Sequence, residues 1–252
     1  MAETHPVAPR PAAAIVLMRA GQDGQLEVFM VRRHMRSTFV PDVYVFPGGS
    51  VNPDDRETEL TAGLCVPVGE GPTTLGSGFR AAAIRECFEE AGVLLARRAG
   101  GPLTPEDLTD VTEHRQALQE RTTTLRAIAE QERLMLATDA LIHWAHWITP
   151  QGFNKRFDTH FFLTEMPASQ EAAHDEVETT ASAWITPKEA LVQFEQGTLP
   201  LAFAQVHQLR ALAEVGSAEE ARTRFNGLVP RTIMPRVVER DGVSMILLPD
   251  EE

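Results

Sequence analysis

The stretch from Ala81 to Val93 constrains this chain more than any other. Ala81, Ala82, Ala83 and Ile84 form a strong helix lead-in. Ile84, Cys87, Phe88 and Ala91 then recur at i, i+3, i+4 and i+7, the pattern of an apolar stripe that must be covered by a core. Glu86, Glu89 and Glu90 fall together on another face, because residues three and four apart are neighbours on a helix. Gly92 stands where a helix can end in a left-handed residue. Like charges at i and i+4 weaken an isolated helix. Arg85 can pair with Glu89 but does not neutralise all three carboxylates. A solvated acidic face is the plain reading of this pattern. The chemical reading is a divalent cation held by oxygen ligands, since Mg²⁺ takes one or two carboxylates plus substrate phosphates.

The segments before this helix read as strands. Ala12 to Met18 is one, Gly21 to Gly24 a turn, and Leu26 to Arg32 a second strand, apolar on both faces as in a sheet covered on two sides. Residues 1–11 read as a tail. Arg32, Arg33, His34 and Arg36 make the densest basic patch. Phe46-Pro47-Gly48-Gly49 follows, and its glycines permit close backbone approach to a metal or phosphate. Ser50 to Gly78 is loop-like, with a short helix at Asp54 to Ala62.

After the central helix, Val93 to Ala96 reads as a short strand. A helical pattern runs with breaks from Thr104 to about Ala137, opened by Thr104 as cap and Pro105 at the first position and divided at Thr122-Thr123-Thr124. This segment suits dimer contacts or a lid. His143 and His146 could hold a transition metal, but no cysteine or acidic residue stands nearby, so ordinary core histidines are expected. Lys155 and Arg156 form a second basic cluster before a strand at Phe157 to Leu163. Glu171 to Glu178 is acidic and exposed. A strand at Ala183 to Ile185, a helix capped by Thr186, helices at Leu199 to Val215 and Ala218 to Phe225, and a hairpin around Asp241-Gly242 complete the chain.

A chain of 252 residues can bury one domain with additions. The net charge of −13 argues against broad nucleic-acid binding, which needs a basic surface. No apolar run reaches the ~18 residues of a membrane span, and the N-terminus lacks the layout of a signal peptide. Two cysteines, Cys65 and Cys87, make no disulfide framework, and Cys87 falls on the apolar stripe of the helix, so a buried reduced thiol and with it a cytoplasmic location are expected.

Arg85-Glu86-x-x-Glu89-Glu90-x-Gly92 resembles the second half of the Nudix box, the motif of hydrolases acting on nucleoside diphosphates linked to another moiety. Phe46-Pro47-Gly48-Gly49 resembles the opening of that box. Gly49 stands 36 positions before Arg85, however, instead of about 14, so about 22 residues are inserted within the motif. The position of the first glutamate is occupied by Ser77. Asp54, Asp55, Glu57 and Glu59 are the candidate replacements. With Phe39-x-Pro41 and Trp147-x-Thr149-Pro150 followed by Arg156-Phe157-Asp158-Thr159, the chain is similar to the coenzyme A diphosphatase branch, typified by a peroxisomal acyl-CoA enzyme. The terminal Asp250-Glu251-Glu252 is not a peroxisomal address.

The resemblance implies an α/β/α sandwich with a mixed central sheet and extra helical insertions. The resemblance covers most of residues 12–195, and the expected organisation is a single domain over residues 12–252, with insertions at about 50–79 and 100–137 and a C-terminal extension from about 196. It implies Mg²⁺ or Mn²⁺ bound by Glu86, Glu89, Glu90 and the Gly48 carbonyl. Arg85 orients the glutamates, and either Glu86 or Glu178 acts as base, with Glu176 in reserve. Arg36 and Arg156, and beside them Arg32, Arg33 and Lys155, are the expected contacts to substrate phosphates. The implied reaction is hydrolysis of CoA or acyl-CoA to 3′,5′-ADP and a phosphopantetheine product. ADP-ribose or a dinucleotide as substrate, or a regulatory nucleotide-binding module without turnover, are the alternatives. The partner is a small molecule, with neither nucleic acid nor membrane involved, and a homodimer is one use of the helical segment.

Overall fold

The computed structural model describes residues 7–69, 75–175, 177–240 and 242–251. Strands β1 (Arg10–Ala20) and β2 (Leu26–Arg33) pair antiparallel. Two short strands, β3 (Tyr44–Val45) and β4 (Gly48–Ser50), lead into helices α1 (Pro53–Leu60) and α2 (Phe79–Ala91). Next come β5 (Ala96–Arg98), β6 (Gly101–Pro102), α3 (Pro105–Gln119), α4 (Leu125–Gln131) and β7 (Leu134–Leu136), whose strands form a small separate sheet. The chain returns through β8 (Ile142–Ile148), β9 (Phe157–Glu165) and β10 (Thr179–Ile185). It ends with α5 (Pro187–Glu195), α6 (Phe203–Leu212), α7 (Ala218–Phe225), β11 (Thr232–Ile233), β12 (Arg236–Arg240) and β13 (Val243–Leu247).

The central sheet runs β10-β2-β1-β9-β8-β11, with β3 beside β2 and β4 beside β1. It is mixed: β1 lies parallel to β9 from Arg10↔Phe157 to Met18↔Glu165, and antiparallel to β2 and β4. Strand alternation divides the apolar residues of β1 between two cores. Ala13, Ile15 and Leu17 pack with Ile84, Cys87 and Phe88 of α2. Ala14, Val16 and Met18 pack with the layer that contains Ala190, Val206 and Leu209. The result is the expected α/β/α layering. Among the described residues no helix is long and apolar enough to cross a membrane.

Several expected boundaries move. β1 begins at Arg10, inside the segment read as a tail, because pairing with β9 gives its backbone partners; residues 1–6 lie outside the described residues. The helical pattern does not run to Ala137. Leu134 and Leu136 are buried and Met135 is 39% exposed, a period of two, and they pair with β5 as a strand. The strand expected at Val93 to Ala96 lies at Ala96–Arg98, while Val93 and Leu94 are buried coil. The helix expected from Leu199 starts at Phe203, since Leu201 bridges to Tyr44. The expected caps Thr104 and Thr186 accept a backbone N–H in the first turn of α3 and α5, and Thr124, read only as part of a break between helices, does the same for α4. β12 and β13 form the closing hairpin, with Asp241 of its turn outside the described residues.

Candidate active site

Helix α2 is fastened at both ends by other elements. Its N-cap is Gly78, at φ +95°, which has no side chain to offer. Glu59 of α1 supplies the acceptor instead, taking the Ala81 N–H at 2.8 Å. At the other end Gly92 adopts φ +71°. Arg115 and Gln119 of α3 both donate to the Glu89 carbonyl, at 3.1 and 2.7 Å.

The carboxylate face of α2 is not solvated. Glu86 and Glu90 are 8% and 5% exposed. The Arg85 guanidinium donates to Asp55 Oδ1 and Oδ2 (2.9 and 3.0 Å), to Glu86 Oε1 (2.7 Å), to Glu89 Oε2 (2.9 Å) and to the Ser50 carbonyl (2.8 Å). Among the candidates for the displaced carboxylate, Asp55 is therefore the one that meets the arginine. Glu59 caps α2, and Asp54 and Glu57 face Arg126 at 3.5 Å. Glu90 receives instead the Gly48 N–H, at 3.0 Å. Glycine is required in β4. A Cβ on Gly48 would stand 2.6 Å from the Ala13 carbonyl oxygen, and one on Gly49 would collide with the Glu86 carboxylate.

One arginine thus faces three carboxylates, and Glu90 is a fourth that it does not reach; Glu86, Glu89 and Glu90 lie on the last turns of a helix that carries no basic residue in its final turn to offset its dipole. Burial pushes Glu86 above the usual carboxylate range and Glu90 well above it. Burial, and then the neighbouring Glu86, push Glu89 up to about 7. Buried oxygen donors with too little positive charge suit a hard divalent cation such as Mg²⁺ or Mn²⁺.

The raised values predict a pH effect. Between about pH 4.5 and 7 Glu89 holds a proton in the folded chain that it loses on unfolding. Without metal, its contribution to stability is complete below about pH 4.5 and is lost as pH rises to about 7. Each tenfold difference in proton affinity is about 1.4 kcal/mol, or about 3–6 °C for a chain of this size. Melting temperature in EDTA should fall between pH 5 and 7.5 by at least this much more than in E89Q, and excess Mg²⁺ should restore it. Parallel profiles for the two proteins would contradict the assignment of buried charge.

The glutamates open into a cavity of about 670 Å³ that is also lined by Arg33, Arg121, Glu178 and the aromatic rings of Phe39, Trp147, Phe157 and Phe203. Glu178 is presented by a loop organised on Asp175. That carboxylate accepts the N–H groups of Val177, Glu178 and Thr179 and the Thr179 hydroxyl. Glu176 lies outside the described residues.

The basic residues expected at the phosphates separate. Arg33 lines the cavity, steadied by Ser37 Oγ at 2.9 Å. The other four do not line it. Arg32 pairs with Asp42 at 2.8 Å, Arg36 is exposed on the following bend, and Lys155 donates to Thr38 at 2.6 Å. Arg156 is 6% exposed and spends its guanidinium on the carbonyls of Thr149, Pro150 and Val7. The two arginines singled out first, Arg36 and Arg156, are thus corrected to a surface group and a tie between loops. The sequence reading missed the parts played by Asp175 and by the aromatic wall. A carboxylate four residues before the strand threonine Thr179 was the available signal for the first. The second needs the sheet register.

The fold and the site together define a class, a three-layer α/β/α protein that presents a helix of buried carboxylates to a cavity of about 670 Å³. The family described as the NUDT19 Nudix domain matches residues 67–212, and this chain belongs to the Nudix hydrolases, in that branch. Nudix hydrolase 7 of Caenorhabditis elegans is 30% identical over 239 residues, covering 94% of this chain and 71% of the worm protein. Acyl-coenzyme A diphosphatase NUDT19 of Gallus gallus is 30% identical over 261 residues, covering 82% and 69%. The Xenopus laevis protein of the same name is 27% identical, and the chain spans 61% of its length. The crystal structure of a NUDIX hydrolase from Alicyclobacillus acidocaldarius superposes with a TM-score of 0.71 at 28% identity, covering 88% of this chain and 99% of that one.

Proposed function

We propose that the chain hydrolyses the diphosphate of coenzyme A or an acyl-CoA to 3′,5′-ADP and the corresponding phosphopantetheine, with Mg²⁺ or Mn²⁺ held by Glu86, Glu89, Glu90 and the Gly48 carbonyl. The observation that carries this reading is the undercompensated carboxylate cluster opening into a cavity with an aromatic wall. The names of the chicken and frog relatives support the choice of substrate.

When bound, the metal would neutralise and orient the diphosphate and promote attack of water at phosphorus. The chain's own residues supply the rest. Arg85 fixes the rotamers of Glu86 and Glu89 against Asp55. Arg33 is the phosphate contact, in a fork that suits paired phosphate oxygens. The rings of Phe39, Trp147, Phe157 and Phe203 take the base or the acyl chain by stacking and apolar contact. Glu178 is the general base: its carboxylate lines the cavity, and among the described residues no cation pairs with it, whereas Glu86 is engaged by Arg85. Glu178 takes a proton from the attacking water as the phosphoanhydride P–O bond breaks.

A panel of CoA, acetyl-CoA, ADP-ribose and NADH with product detection tests the substrate. Turnover of CoA or acetyl-CoA is expected to dominate, and strong turnover of ADP-ribose with none of CoA would reject the proposal. Glu178→Gln is expected to lower kcat about 10²–10⁴-fold with Mg²⁺ affinity retained. An unchanged kcat would return the role to Glu86.

A further inference from the structure

Strands β8 and β9 pair antiparallel with His146 opposite His160 and Ile148 opposite Asp158. Alternation turns Phe157, Thr159 and Phe161 to one face, where they line the cavity, while Asp158 and His160 point to the face that α2 covers. There His146 Nε2 lies 2.5 Å from Asp158 Oδ1, and His160 Nε2 lies 3.8 Å from the same oxygen. All three ligating atoms stand within 4.8 Å of one another. The two imidazoles are stacked, with centroids 3.9 Å apart and planes inclined by 14°. Among the described residues no lysine or arginine pairs with Asp158.

The outer nitrogens are also engaged. His146 Nδ1 is 2.8 Å from the Thr232 hydroxyl of β11, and His160 Nδ1 is 2.9 Å from His143 Nε2. Metal-bound histidines almost always donate their second ring N–H to such a partner, which fixes the tautomer and aims the bare nitrogen inward. When each Nδ1–H is donated outward, two imidazole lone pairs and a carboxylate converge on one point. Converging acceptors repel one another unless a cation lies between them. Donors about 2.0–2.2 Å from zinc stand about 3.3–3.6 Å apart in a tetrahedron, and the separations of 2.5 and 3.8 Å bracket that range.

We propose that His146, Asp158 and His160 bind a divalent transition metal of the Zn²⁺ type, on the face of the sheet that α2 covers, beside the start of that helix and apart from its glutamates. Two imidazoles and one carboxylate are softer than the all-oxygen set on α2, so the two sites select different ions. Asp158 is a third exposed, which leaves room for water as a further ligand. The ion would cross-link β8 and β9 and, through Thr232, β11. It would also sit behind Phe79, whose ring packs 4.4 Å from His160 at the start of α2.

The test uses the full chain, stripped with chelator and then saturated with Mg²⁺ so that the glutamate cluster is occupied. Co²⁺ titration should give visible d–d absorption saturating at one ion per chain, and Zn²⁺ should displace it. His146→Gln and Asp158→Asn should each weaken binding at least about 100-fold, Thr232→Val about 10–100-fold, and Glu90→Gln should leave the spectrum unchanged. Circular dichroism verifies that each variant is folded; Asp158→Asn, which keeps its shape, decides the matter if His146→Gln fails to fold. Absence of stoichiometric Co²⁺ binding would overturn the site in favour of a plain histidine–carboxylate hydrogen bond. So would binding that survives in H146Q and D158N but disappears in E90Q.

Discussion

Replacing Glu90 by glutamine is expected to remove turnover while making the metal-free protein more stable. Glu90 is buried, its proton affinity is raised by burial and by Glu86, and its one bond among the described residues is the Gly48 N–H. Glutamine keeps that acceptor and removes the charge. At pH 7.5 in EDTA the variant should melt above the parent. The same change takes away a proposed metal carboxylate, so kcat should fall by about 10³-fold or more and Mg²⁺ should no longer raise Tm as it does in the parent. A variant that lost stability in EDTA while keeping turnover would reject both the electrostatic account and the metal assignment.

Asp55→Asn is expected to act in the opposite direction on stability. Asp55 is 1% exposed and takes two of the five hydrogen bonds of a buried guanidinium. Removing one partner of a buried ion pair costs about 3–5 kcal/mol when the other is left uncompensated. Glu86 and Glu89 still face Arg85 here, so the lower end applies, about 3 kcal/mol or about 6–12 °C. Turnover should fall as well, because Arg85 is then free to pull Glu86 and Glu89 out of position. Asp54→Asn is the control. Its partner Arg126 lies 3.5 Å away in a partly exposed pair, worth at most about 1 kcal/mol. Equal melting temperatures for D54N and D55N would remove Asp55 from its place in the motif.

The contrast between these neighbouring carboxylates shows where the sequence could be read and where it could not. The helix around Arg85 was legible because its apolar stripe and its carboxylates follow one period, and the glycine pair because its chemistry recurs. The layering was legible in β1 and β2, which are apolar on both faces. The identity of the replacement carboxylate was not. Asp54 and Asp55 differ by one position on α1, and only the angle at which α1 meets α2 decides which reaches the arginine. Arg156 and Arg33 were likewise equal as charges. Local carbonyls claimed one and the cavity kept the other. His143 and His146 were read without an acidic partner, since Asp158 and His160 reach them only through the register of β9 against β8.

The clasp of α1 on α2 has a consequence for how this chain varies. Asp55 and Glu59 both lie upstream of Thr61, and the next residue the site uses is Gly78. The intervening chain closes a loop whose ends are held by those bonds, and loop length is cheap once the ends are fixed, about 0.6 kcal/mol per doubling. The break in the linear motif is therefore a seam at which length can drift between relatives without disturbing the carboxylates. A fixed-spacing pattern would pass over such chains, whereas one that asks for an acid on a short helix ahead of Arg-Glu-x-x-Glu-Glu would recover them.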